Sequence, residues 1–198
     1  MKKISLFITL LSFAGIVAAQ DFKNDIAAAR TSYSAGKLED AHFSLQQALQ
    51  ELDMIIGKEV LKLLPQNMDA LKANASGDQV TSNIGFVGAT IHRTYGVADK
   101  KADLQIISNS PLIASLNAIL NIPVLGGLMR DENSKTIKVQ GYKARMERTD
   151  NGSGKFNYKL DIPFNSALLT FSVDNSSESE ITGMASKIPL KEIAQLVQ

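Results

Sequence analysis

The stretch Tyr33–Pro65, YSAGKLEDAHFSLQQALQELDMIIGKEVLKLLP, carries the longest periodic pattern in the chain. Its apolar residues recur every three or four positions, which predicts one amphipathic helix from Leu38 to Leu64, about 40 Å long. They are Leu38, Ala41, Leu45, Ala48, Leu49, Leu52, Ile55, Ile56, Val60 and Leu63. Gly57 is expected to weaken or bend this helix, and Pro65 ends it.

A shorter helix is predicted just before this stretch. Phe22, Ile26, Ala29 and Tyr33 form one apolar stripe at steps of three and four residues. Gly36 suits the left-handed conformation that commonly ends a helix. Because so short a turn makes the two helices antiparallel neighbours, residues 20–65 are predicted to form a helical hairpin.

The first 19 residues have the pattern of a secretory signal peptide. Lys2 and Lys3 precede the apolar run Ile4–Val17, and small residues stand before Gln20 where a signal peptidase would cut. The apolar run is shorter than the roughly 20 residues of a spanning helix, so a retained anchor is the less favoured interpretation. We expect cleavage between Ala19 and Gln20 and a periplasmic or secreted protein without a stable membrane anchor.

Composition narrows the range of functions. The chain has no cysteine, which excludes disulfides and thiolate metal sites. Without Lys2 and Lys3, 19 basic residues face 20 acidic ones, a net charge of about −1. Nucleic-acid binding needs clustered surplus cations, so no nucleic-acid partner is predicted.

Downstream of the hairpin, the sequence predicts a linker and then an α+β domain. Residues 66–82 are polar and predict the linker. Residues 83–198 predict a mainly antiparallel sheet of about five strands covered by two helices. The predicted strands lie near 86–95, 102–108, 136–148, 156–162 and 169–173, and the helices begin near Ser110 and Ile181, with a last helical turn after Pro189.

Few residues suggest chemistry. The two histidines, His42 and His92, lack a second ligand at a recognised spacing, so no metal site or cofactor is predicted. The Gly152–Lys155 stretch precedes a predicted strand rather than a helix, which favours a hairpin turn over a phosphate loop. No catalytic constellation is found, although dispersed carboxylates leave a hydrolase possible.

Three places are candidates for an interaction surface. The polar side of the long helix offers Glu39, Gln46 and Gln50. Arg93 and Tyr95 share a predicted strand face, where Arg93 either packs its stem or, beside Gly85 and Gly88, binds an anion. The apolar loop 122–129 either plugs the sheet or contacts a partner or a membrane surface through Val124, Leu125 and Leu128.

Two resemblances accompany these patterns. Tyr33, Gly36, Ala41 and Ala48-Leu49 resemble a single tetratricopeptide-type hairpin, although no second copy follows. The mature chain resembles a widespread family of uncharacterised exported bacterial proteins. The motifs that carry this second resemblance are Gly36–Ala41, Leu63–Pro65, Gly85–Tyr95, Asp103–Leu112 and Ile188–Leu190. That family has no established activity, so the resemblance implies no functional residue.

We therefore expect an exported, non-enzymatic protein that contacts another protein of the cell envelope through its hairpin or the adjacent sheet face. The alternative is a carrier that holds a small apolar or amphipathic ligand between the sheet and the helix at 110–120. A hydrolase with dispersed carboxylates is the third hypothesis.

Overall fold

The computed structural model describes residues 14–83, 87–121, 133–152 and 154–197. The chain divides into two compact units, Met1–Ile55 and Ile56–Gln198, so the boundary falls inside the second helix. Among the described residues, no helix is both long and apolar enough to cross a membrane.

The first unit is a pair of helices joined by a tight turn. Helix α1 spans Ala14–Ser34, across the predicted cleavage position, and helix α2 spans Leu38–Leu63. Gly36 between them has a φ of 74°, in the left-handed region that glycine adopts without strain. The hairpin predicted for this part of the chain is thus confirmed in outline. From Asp21 to Ile55, the part of this unit whose side chains are described, the buried apolar side chains are small ones, Ala29, Ala41 and Ala48.

Among its described residues, the second unit contains the end of α2, a sheet and three further helices. Its strands are β1 Asn67–Met68, β2 Leu71–Lys72, β3 Gln79–Asn83, β4 Val87–Val97, β5 Lys100–Ile107, β6 Ser134–Val139, β7 Tyr142–Asp150, β8 Phe156–Phe164 and β9 Ala167–Ser176. Its further helices are α3 Ile113–Leu120, α4 Glu178–Ala185 and α5 Leu190–Leu196, with a single 3-10 turn at Ala75–Gly77.

The main sheet has seven antiparallel strands in the order β3-β4-β5-β9-β8-β7-β6. The α+β class is confirmed, but the predicted count of five strands is wrong. One of the two additional strands arises because residues 136–148, which the sequence pattern predicts as a single strand, form two strands. Gln140 and Gly141 have φ angles of 49° and 89°, which form a two-residue hairpin turn and divide this segment into β6 and β7.

The other added strand, β3, lies in the segment predicted to be a linker. Residues 66–82 instead form the small β1–β2 hairpin, the 3-10 turn and most of β3. Met68 is fully buried, and Asn74 binds β4 through its backbone amide to the Thr94 carbonyl (2.9 Å) and through its side chain to the Gly96 carbonyl (2.9 Å). Buried and hydrogen-bonded residues such as Met68 and Asn74 therefore attach this segment to the sheet, although many of its polar side chains are exposed.

The core lies on one face of the sheet. Alternate side chains of the strands, including Leu104, Leu160 and Phe171, are fully buried there. Val60 at the end of α2 and Leu64 just after it belong to this cluster, and α4 and α5 contribute Ile181, Met184, Leu190 and Ile193.

The opposite face of the sheet is mainly polar. Near its end, Leu116 and Leu120 of α3 pack with Leu168 in a small separate cluster. Lys143 Nζ donates to Asn121 Oδ1 (2.6 Å) just after α3 and so ties this helix to β7. Leu116, Leu120 and Leu168 thus contact one another where α3 meets the sheet.

Candidate functional site

The hairpin exposes several large apolar side chains. Tyr33 is 70% exposed, Leu38 65% and Leu49 61%. Large exposed apolar side chains also occur at Ile26, Phe43, Leu45 and Leu52. Because scattered exposed leucines are common, what distinguishes a functional patch is whether they share one face.

The leucines of α2 do share a face. Leu38, Leu45, Leu49 and Leu52 are separated by seven, four and three residues, which keeps them within about 60° of one another around a helix with 3.6 residues per turn. Phe43 lies on a different side. The leucine row is displaced from the buried Ala41 and Ala48 by about 60° around the helix axis.

Helix α1 repeats this arrangement. Ile26 and Tyr33 are separated by seven residues and lie about 50° from the buried Ala29, in the same rotational sense as on α2. The buried alanines mark the line along which the two antiparallel helices approach. On each helix, the large apolar residues are displaced from this line in the same rotational sense. Both rows of large apolar residues therefore lie on one side of the hairpin. We call this set of Ile26, Tyr33, Leu38, Leu45, Leu49 and Leu52 the apolar face.

The polar residues predicted on the long helix border this face. Glu39 is exposed, and Gln46 and Gln50 are partly buried. They lie about 90° to 130° from the leucine row, on the side away from the alanines. The predicted polar residues and the exposed leucines therefore lie on neighbouring sides of the same helix.

Arg93 and Tyr95, the second predicted pair, are buried in the sheet unit. Arg93 is 4% exposed, and its Nε donates to Asp78 Oδ1 at 2.8 Å while Nη2 donates to Oδ2. Its Nη1 donates to the Leu64 carbonyl at 3.0 Å, just beyond the last residue of α2. The carboxylate already satisfies the guanidinium that could have bound an anion, so Arg93 joins α2, β3 and β4.

The environment of this pair shifts two pKa values. Hydrogen bonds to Asp78 raise the pKa of Arg93, against the lowering effect of burial. Burial raises the pKa of Tyr95 to about 12, although the nearby Arg93 charge opposes this rise. The Tyr95 hydroxyl is buried and meets no hydrogen-bond partner in good geometry among the described atoms.

The polar face of the sheet carries a row of paired polar and charged side chains. His92 Nε2 lies 2.8 Å from Asp103 Oδ2. Lys159 Nζ lies 2.7 Å from Glu147 Oε2 and 3.1 Å from Asp161 Oδ2, and those contacts outweigh burial to raise the pKa of the lysine. Glu147 also pairs with Arg145 at 2.6 Å. The carboxylates that come together here therefore share a cation, as in a structural charge network.

The third predicted place is the loop 122–129, and its residues Val124, Leu125 and Leu128 fall outside the described residues. Within the described ranges, no group of three or more His, Asp or Glu side chains is arranged to hold a metal ion.

No protein-family model, no curated protein sequence and no solved structure matches this chain. The case for a function therefore depends on the chain's own residues, of which the apolar face is the strongest feature.

Proposed function

We propose that this protein is an exported, non-enzymatic interaction protein whose helical hairpin associates with another polypeptide chain. The observation that carries this proposal is the apolar face. Its six side chains are between 38% and 70% exposed. The largest exposed apolar patch of a typical monomer covers about 300–600 Å² and is often an interaction site.

The contrast between the two units supports this proposal. In the sheet unit, the large apolar side chains of the strands and of α4 and α5 are mostly buried in one cluster. In the hairpin, the buried side chains are alanines, whereas the leucines face outward. Removing the exposed part of each leucine from water is worth about 1 kcal/mol, so an associating chain would gain most by covering this row.

Crosslinking in cells tests the docking function. A photoreactive residue at Leu49 should give a covalent protein adduct on illumination. The matched control is Val97, which is 77% exposed but lies at the end of a strand in the other unit. An adduct at Leu49 and none at Val97 is expected. Equal labelling at both positions, or no adduct at Leu49, would contradict a docking role for this face.

The same cells test export. The signal-like residues 1–19 support a mature chain that begins at Gln20. Mass spectrometry of the protein from the envelope or medium should therefore find Gln20 at its N-terminus. Recovery of only the uncut chain in the cytoplasm would refute the exported part of the proposal and leave the docking part to the crosslinking result.

A further inference from the structure

We infer that the chain that docks on the apolar face is a second copy of this protein, so that two hairpins form a four-helix bundle. This inference rests on the proposed function and names its partner. Area is the first reason. At about 100 Å² for each half-exposed large side chain, the six residues expose roughly 600 Å². That approaches the ~800 Å² per partner of a standard protein interface, and bordering polar residues would supply the remainder.

Geometry is the second reason. A helix in a four-helix bundle contacts two neighbours, and therefore buries two stripes at an angle to each other. On α2, the alanines form one stripe and the exposed leucines form the other. On α1, Ala29 belongs to the first kind of stripe, and Ile26 and Tyr33 form the second. The two helices of one hairpin thus pack against each other through their alanines, and their large apolar residues are left to contact a second hairpin.

Charge is the third reason. By helical spacing, the exposed Lys23 and Arg30 border the apolar face along α1, whereas the exposed Glu39 lies beside it along α2. A twofold axis parallel to the helices places α1 of one copy against α2 of the other, so that the basic border of each copy meets the side that carries Glu39. A membrane surface fits less well, because helices that lie on anionic lipid have basic residues on both borders.

Sedimentation of the purified full chain tests the inference. We expect a reversible monomer–dimer equilibrium. The double substitution Leu45→Glu/Leu49→Glu should raise the dissociation constant by about 100-fold or more, because it places carboxylates in the apolar contact. Leu112→Glu is the matched control, since Leu112 is a 57% exposed leucine outside the hairpin, and it should leave association unchanged.

A charge exchange tests the orientation of the two copies. Arg30→Glu should weaken association by about tenfold, because like charges then face each other across the interface. Adding Glu39→Lys to Arg30→Glu should restore part of the loss. Circular dichroism melting should be unchanged in the monomeric variants at low concentration, since every substituted side chain is solvent-exposed in the single chain.

The outcomes separate this inference from the proposed function. A wild-type chain that stays monomeric at every concentration overturns the second-copy inference. If Leu49 then still crosslinks to a different protein in cells, the docking function stands with another partner. If Leu49 gives no adduct either, both are wrong. A dimer that survives the leucine substitutions would place its interface elsewhere and overturn the inference as well.

Discussion

Arg93 shows how one residue can join distant parts of the sheet unit. Its guanidinium binds the Asp78 carboxylate before β3 and the Leu64 carbonyl after α2, while its backbone belongs to β4. A helix leaves its last carbonyls without intrahelical partners, and a buried cation is a strong donor to them. The alternation of β4 predicted that Arg93 would face inward. It could not predict the partner, because Asp78 lies in a segment whose composition suggests a solvated linker.

Tyr95 gives a prediction at the same scale. Its pKa is about 12 in the folded protein and near 10 in an unfolded chain. The folded state therefore holds the phenolic proton more tightly, and this contribution to stability is complete below pH 10 and is lost as the pH rises towards 12. Tyr95→Phe removes the titrating group. Its stability relative to wild type should rise between pH 10 and 12 by up to about 3 kcal/mol.

The measurement is the free energy of unfolding in urea for both proteins across this pH range. Both proteins contain the same lysines, so the effect of lysine titration cancels when one free energy is subtracted from the other. At neutral pH the substitution should change stability by less than about 1 kcal/mol, because the hydroxyl meets no well-placed partner. A difference that does not depend on pH would mean that the hydroxyl is hydrated in the folded protein.

At the scale of elements, local patterns predicted the helices and most strands. The three-four rhythm gave α1 and α2, and strict alternation gave β8. The patterns failed where a contact distant in sequence decides the structure. The β6–β7 turn is an example, since the Gln140 side chain donates to the Ile188 carbonyl at 2.6 Å, between α4 and α5. The apolar face is another, because periodicity predicts an amphipathic helix but does not say whether its stripe is covered.

Gly57 allows α2 to lie close to the sheet. A Cβ at this position would overlap the Val80 side chain of β3 and lie 3.3 Å from Ile91 Cγ1 of β4. Replacing glycine by alanine in a helix normally stabilises it by about 1 kcal/mol. Overpacking costs about 1–3 kcal/mol, so we expect Gly57→Ala to be destabilising by about 1 kcal/mol in chemical unfolding.

Two variants make this test specific. Gly183 in α4 has open space where a Cβ would stand, so Gly183→Ala should show the helix-propensity gain without the overlap. Adding Val80→Ala to Gly57→Ala should recover stability relative to Val80→Ala alone. If Gly57→Ala and Gly183→Ala stabilise equally, the close approach of α2 to β3 is wrong.

At the scale of the whole molecule, the two units differ in what stabilises them. The sheet unit contains the continuous apolar core, which includes residues at the end of α2 from Ile56 onward. The hairpin unit buries alanines and exposes leucines. Isolated helices of about 15 residues are marginal in water, so a hairpin held by small contacts needs either its covalent continuation into the sheet unit or an association partner.

A truncation tests this division. A fragment from Glu51 to Gln198 retains the core and one helical turn before Ile56, so it should unfold cooperatively within a few degrees of the full chain in thermal melting.

A peptide of residues 20–55 should show little helix by circular dichroism when dilute. Its helix content should rise with concentration if two copies cover their leucines mutually, and Leu45→Glu/Leu49→Glu should abolish that rise. Loss of the cooperative transition in the larger fragment would show that the hairpin is part of the sheet unit's folding, and the exposed leucines would then need a structural explanation rather than a partner.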